Sequence, residues 1–204
     1  LYPNFAIADQ PNWPNVYTKA CKGEPDSLKA IGYEGETSQN PVCKEILAFI
    51  AGGKSGSDIR TKYEQAPYGW SKDTIDGCLM VLLVAGLILA QDEKGKLIEQ
   101  KGLERKNIGK LLFKLESPNI TVAQKIKIRK LFQKMDIIVN SEQVLSATKQ
   151  FLDALKTLAL SAGGEAPQPI SPDIKNLAEI SCLIGNEQLL TIFNNFDLFN
   201  SQID

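Results

Sequence analysis

The chain has no histidine in 204 residues. That absence removes Ser-His-Asp and Cys-His catalysis and takes away the imidazole ligand common in zinc sites. The four cysteines do not replace it: Cys21, Cys43, Cys78 and Cys182 are scattered, whereas a thiolate metal site needs clustered ligands. Cys43 and Cys78 fall on apolar helical faces, so buried, reduced thiols in a reducing cytoplasm are expected. An excess of charge of one sign is also missing. The formal net charge of −1 creates no global field to draw the molecule onto nucleic acid, and such binding has to rest on a local patch. No apolar run approaches the roughly 18 residues that span a bilayer. The longest, Cys78 to Ala90, is interrupted at Gly86. The chain opens on Leu1 without a signal-peptide pattern and reads as a segment of a longer protein.

What is present suits a globular protein of one large or two small domains: hydrophobic residues make up 43% and charged residues 23%. Residues 1–39 are rich in Pro, Gly, Asn and aromatics and read as an arm of short helices. Pro14 suits a first helical turn, Gly23 the position after its end, and Asp26 a cap for a short helix stopped by Gly32. Tyr2, Phe5, Trp13 and Tyr17 are expected to pack on the neighbouring domain.

Asn40-Pro41 is a helix start, with Asn as cap and Pro at the first position. Val42, Ile46, Phe49 and Ile50 recur at helical spacing until Gly52-Gly53. Ser55 and Asp58 have capping-box spacing and open a second helix with Ile59 and Tyr63. The turn Pro67-Tyr68-Gly69-Trp70 comes next, then Ser71 caps a third helix with apolar positions Ile75, Cys78, Leu79, Leu82 and Leu83. Leu87 to Gln91 and Lys96 to Gln100 read as two strands around Asp92-Glu93-Lys94-Gly95. Leu111, Phe113 and Leu115 alternate with polar or outward positions as a third strand.

Three helices followed by a β-hairpin is the winged-helix order. The expected fold is therefore mainly α with a small β component. It comprises an N-terminal arm (1–39), a winged-helix domain (40–116) and a C-terminal helical domain (117–204). In that last part Thr121 and Gln124 form a capping box, and Asn140 starts a helix with a seam of Val144, Thr148, Phe151, Leu155 and Leu158. Gly163 to Pro169 reads as a flexible connection, Ser171-Pro172 as a further cap, and Asn186 as the cap of a last helix with Leu189, Phe193, Phe196 and Phe199.

Four groups of residues are candidates for function. Gly53-Lys54-Ser55 has the look of half a phosphate-binding loop, but the loop's first glycine is Ala48 and a helical pattern stands where a strand is required. The plainer reading is a helix end followed by a cap. The third helix of a winged helix can enter the major groove; here its outer face is expected to offer Lys72, Asp73, Asp76 and Gly77, so that carboxylates would meet phosphates. Candidate nucleic-acid contacts lie instead at Lys94, Lys96, Lys101, Arg105 and Lys106 and along the helix 121–135 at Lys125, Lys127, Arg129, Lys130 and Lys134. Only Phe132 is interleaved there for base stacking, and a solvated helix face is the plainer reading. Pro67, Tyr68, Gly69 and Trp70 form either an exposed aromatic hot spot or a structural turn pinning the second helix to the third, the structural reading being favoured.

These motifs carry a family resemblance. Asn40-Pro41-Val42-Cys43, Gly53-Lys54-Ser55-Gly56 with Ile59-Arg60, and Pro67-Tyr68-Gly69-Trp70-Ser71-Lys72-Asp73-Thr74-Ile75-Asp76 resemble the BrxC/PglY family, large P-loop ATPases of BREX phage-resistance systems. The opening Leu1-Tyr2-Pro3-Asn4-Phe5, Ala8-Asp9, Trp13 and Ile108-Gly109-Lys110 resemble it too, so the likeness covers residues 1–135. The family's Walker motifs have no match in this chain, so no ATP-binding or catalytic residue carries over and no cofactor is expected. The resemblance implies a non-catalytic, cytoplasmic assembly segment whose partners are other BREX components or the rest of the parent ATPase. Nucleic-acid binding through the basic helix and the wing is the alternative.

Overall fold

The computed structural model describes residues 3–24, 26–141, 143–162 and 174–203. The expectations for Leu1-Tyr2, for the connection 163–169 and for the Ser171-Pro172 cap lie outside the described residues.

Local capping sets where the main helices begin. Asn40, Ser55, Ser71 and Thr121 hold extended backbone, and each side-chain oxygen accepts a hydrogen bond from a backbone N–H of the next turn. This satisfies donors that a helix cannot satisfy within itself. At Thr121 the Gln124 side chain reciprocates by accepting from the cap's backbone N–H, while at Ser55 the Asp58 carboxylate accepts from the cap's hydroxyl. The chain divides into two compact units, Leu1–Glu116 and Ser117–Asp204, each with a separate hydrophobic core.

The first unit runs α1 (Phe5–Ala8), α2 (Trp13–Cys21), α3 (Pro41–Ile50), β1 (Lys54–Ser55), α4 (Gly56–Glu64), α5 (Lys72–Val84), β2 (Ile88–Gln91) and β3 (Leu112–Leu115). The strands form one antiparallel sheet in the order β1-β3-β2, with Lys54 and Ala90 both opposite Phe113. Mainly α with a small β component is therefore the observed class. Residues 1–39 belong to this unit: α2 packs along α5, and Trp13 is fully buried between them.

Several expectations are corrected in this unit. The return leg Lys96 to Gln100 is not a full strand; it meets β2 at a single bridge, Gln91 to Leu97, then tightens into a 3-10 turn at Gln100–Gly102. The main partner of β2 is β3, because β3 carries Phe113 to pair over the core face. The helix α5 is buried all round and not along one stripe, since Thr74 through Leu83 are inaccessible and α2 covers the side expected to face solvent. Asp26 caps nothing with its side chain; it takes a left-handed backbone ahead of a 3-10 turn, Ser27–Ile31. Phe5 remains exposed, unlike Trp13.

The second unit contains α6 (Val122–Lys134), α7 (Val144–Ala162), α8 (Ile174–Cys182), α9 (Gly185–Asn194) and α10 (Phe196–Ile203). The α7 seam packs within this unit and is wider than expected: Ala147, Leu152 and Ala159 join Val144, Thr148, Phe151 and Leu155 in the core. Asn186 lies inside α9 rather than capping it, and the expected last helix is two helices broken at Asn195. No helix among the described residues is long and apolar enough to cross a membrane.

Candidate functional site

The turn after α4 is set by Gly69, whose φ of +63° favours glycine. The backbone N–H of Trp70 donates to Tyr63 O at 2.8 Å, closing the turn onto the end of α4. Trp70 is buried and stacks on Tyr63 with centroids 4.6 Å apart and planes 7° from parallel. Its Nε1–H donates to Pro3 O at 3.0 Å. The structural reading of this turn therefore holds for Trp70. Tyr68 is different: it stays half-buried, and its hydroxyl donates to Glu45 Oε1 at 2.9 Å.

Around these two residues lies a larger aromatic cluster. Phe49 stands edge-on to Tyr63 (5.9 Å, 86°), and Tyr68 stands steeply on the same ring (4.7 Å, 70°). The Lys62 ammonium sits among all three, 4.9 Å from the Phe49 centroid, 5.4 Å from Tyr68 and 5.8 Å from Tyr63. Lys54 approaches Phe49 as well, at 5.0 Å. The Tyr63 hydroxyl donates to Glu45 O at 2.7 Å. Burial, followed by the Glu45 charge, pushes the Tyr63 phenol well above its ordinary value. The hydrogen bond to Glu45, followed by burial, raises that of Tyr68. Both phenols therefore remain protonated donors at neutral pH. Glu45 and Lys62 were not singled out in the sequence, and Phe49 only as an apolar helix position, because nothing in the local spacing shows that α3 brings Glu45 and Phe49 beside Lys62 and Tyr68.

The outer face expected for α5 does not exist. Asp76 is 1% exposed and accepts two hydrogen bonds from Arg60, from Nε at 2.9 Å and from Nη2 at 2.8 Å. Arg60 also donates to Arg105 O. Burial raises the Asp76 carboxyl above an ordinary aspartate, with the Arg60 hydrogen bonds and the Arg60, Arg105 and Lys72 charges opposing that shift. The Asp73/Asp76 pair is thus not a solvated couple: only Asp73 reaches the surface, where Arg105 pairs with it. Gly77 is also covered, with Trp13 against it.

The basic residues fall in different surroundings. Lys94, Lys96, Lys101 and Lys106 are exposed in the first unit, with Lys106 paired to Glu104 at 2.7 Å. Arg105 is half-buried over Tyr17, 4.4 Å from its centroid. In the second unit α6 turns Ile128, Leu131 and Phe132 into the core and leaves Lys127, Lys130 and Lys134 exposed, with Lys125 half-buried. The Arg129 guanidinium is drawn back to Val139 O at 2.8 Å. Val122 and Ile126 are exposed among these cations. Phe132, the one expected stacking residue, is fully buried against Phe151 at 4.5 Å and cannot meet a base.

Gly53 (φ +79°) ends the turn after α3, Lys54-Ser55 is β1, and Ser55 caps α4, so this stretch is a helix end and a cap. Cys43 and Cys78 are buried with sulfurs 3.0 Å apart, but Cys21 is half-buried and Cys182 exposed, so burial does not extend to all four thiols. Among the described residues no three Cys, Asp or Glu side chains gather as a metal site. An open depression of about 400 Å³ beneath the turn that follows β2 is lined by Asp92, Glu93, Lys94, Ile98 and Asn107, a mixed-charge wall. Comparison with protein-family models, with curated proteins and with solved structures found no match.

Proposed function

We propose that this chain is a non-catalytic assembly segment of a BREX-type defence ATPase of the BrxC/PglY kind, working in the cytoplasm, with residues 40–116 as a winged helix used for protein contact. The observation that carries this reading is the cover over α5. In a winged helix the third helix is the one that enters a groove. Here α2 lies along it, Thr74 through Leu83 are buried, and Asp76 is committed to Arg60. A helix so enclosed has no face to offer a duplex. The sheet keeps Leu112 and Leu115 exposed, apolar area that suits a protein partner. The winged-helix reading is supported by the order α3, β1, α4, α5, β2, β3 with β2 and β3 antiparallel, the loop between them, residues 92–111, standing in the place of the wing. In this reading ATP is bound elsewhere in the parent protein, and the partners are other BREX components or the rest of that ATPase. The test is co-purification of sibling components with the parent protein, with and without residues 1–204; unchanged association overturns it.

A second reading is favoured by the exposed row Lys127, Lys130 and Lys134 on α6: non-specific contact with nucleic-acid phosphates. Neutralising these three lysines together is then expected to reduce the slope of log affinity against log salt by about 3 on duplex DNA. An unchanged slope removes the reading.

A further inference from the structure

The three rings around Lys62 have a geometry that Trp70 packing alone does not require. Phe49 and Tyr68 rise steeply from the plane of Tyr63, at 86° and 70°, so the rings form two walls and a floor. Trp70 stacks nearly parallel on Tyr63 and holds the tilt of that floor. The Glu45 carboxylate accepts from the Tyr68 hydroxyl, placing negative charge at the wall. A cation lies among the rings, 4.9 to 5.8 Å from the three centroids. Such distances fall within the range over which the negative face of an aromatic ring attracts a cation.

We infer that Phe49, Tyr63 and Tyr68 form an ammonium-binding cage, filled in this structure by the chain's own Lys62 and open to a ligand bearing a trimethylammonium group. Lys62 is a weak occupant. An exposed cation–π contact is a weak attraction, and ordering the long lysine side chain forfeits rotamer freedom that offsets much of it. A primary ammonium is also strongly hydrated and is drawn back to water. A trimethylammonium group gives up less hydration and fills a three-walled aromatic space with methyl contacts, the basis on which aromatic cages select it. Lys62 lies on the exposed side of α4 and can swing away without disturbing the core. The inference stands on the cage geometry and is independent of the larger protein that the segment serves.

The test is an NMR titration of the full chain and its Lys62→Ala variant with two trimethylammonium probes. Choline represents a small alcohol or head group, and Nα-acetyl-trimethyllysine amide represents a modified side chain. The neutral isostere 3,3-dimethylbutan-1-ol serves as control. Saturable shifts are expected at Tyr68 and Phe49 in Lys62→Ala, with a dissociation constant on the order of millimolar for at least one probe. Wild type should bind it at least about fivefold more weakly, and the isostere should be weaker by a similar factor. Adding Tyr68→Leu to Lys62→Ala should abolish the shifts. Failure of both probes to saturate with Lys62→Ala overturns the inference, as does equal binding of choline and the neutral isostere. Equal affinity in wild type and Lys62→Ala overturns the occupancy by Lys62. Because Lys62 is exposed, Lys62→Ala keeps the fold, and the outcome does not depend on how well the Tyr68→Leu variant folds.

Discussion

Asp76 and Arg60 show how one buried ion pair constrains the first unit. The carboxylate is enclosed, and its two hydrogen bonds to Arg60 tie α5 to α4, while Arg60 continues to the carbonyl of Arg105. Removing one partner leaves the other charged and enclosed, so Arg60→Met and Asp76→Asn are each expected to cost about 3–5 kcal/mol in chemical denaturation. Replacing both, as Arg60→Met with Asp76→Leu, should cost less than either single change, because desolvation of the pair offsets much of its attraction. The same enclosure sets a pH dependence. The folded pKa of Asp76 is raised by burial above the unfolded value near 4. This group therefore favours the folded state most below the unfolded pKa, and that contribution is lost as pH rises through the folded pKa. A carboxyl 13C titration should show Asp76 with a midpoint above that of an ordinary aspartate; a midpoint at or below it would mean that Arg60 outweighs burial.

Elements in this protein are placed by close approaches as much as by propensity. The first turn of α4 lies against the segment Ile108–Lys110: Gly56 N–H donates to Leu111 O, and a Cβ on Gly56 would overlap the Ile108 carbonyl. Neither backbone can yield without moving the sheet, so Gly56→Ala is expected to cost about 3 kcal/mol, the upper end of ordinary overpacking, as a shift in thermal or denaturant midpoint. Capping gives a smaller and more local effect. Thr121→Ala removes one half of the reciprocal bond with Gln124 and should cost about 1 kcal/mol, read from hydrogen exchange in the first turn of α6.

Over the whole molecule the two cores share no buried residue, and each unit closes its own apolar cluster. Phe151 stands at the centre of the second, between Phe132 and Phe199. Phe151→Ala should cost the second unit about 3–5 kcal/mol. Amide protection should then fall in α6 and α7 and persist in α3 and α5; a common loss across both would mean that the units unfold as one.

The helix starts at Asn40, Ser55, Ser71 and Thr121, the missing histidine and the small β content were open to reading from residues alone, whereas those expected at Asp26 and Asn186 were not found. A cap acts on a backbone N–H two or three positions away, and its partner is always at hand in the sequence. The fate of a side chain whose partner is distant was not legible. Asp76 reads as a surface carboxylate until Arg60, sixteen residues earlier, is brought beside it and α2 is laid over α5. Lys96 to Gln100 has the alternation of a strand, but β2 pairs with β3 across a longer loop because Phe113 completes the core there. Lys62 within three rings belongs to the same class. Local spacing decided where α3, α4, α5 and α6 begin; only the path of the chain decided which faces are covered and which charges meet, because those depend on contacts between residues that no short-range pattern relates.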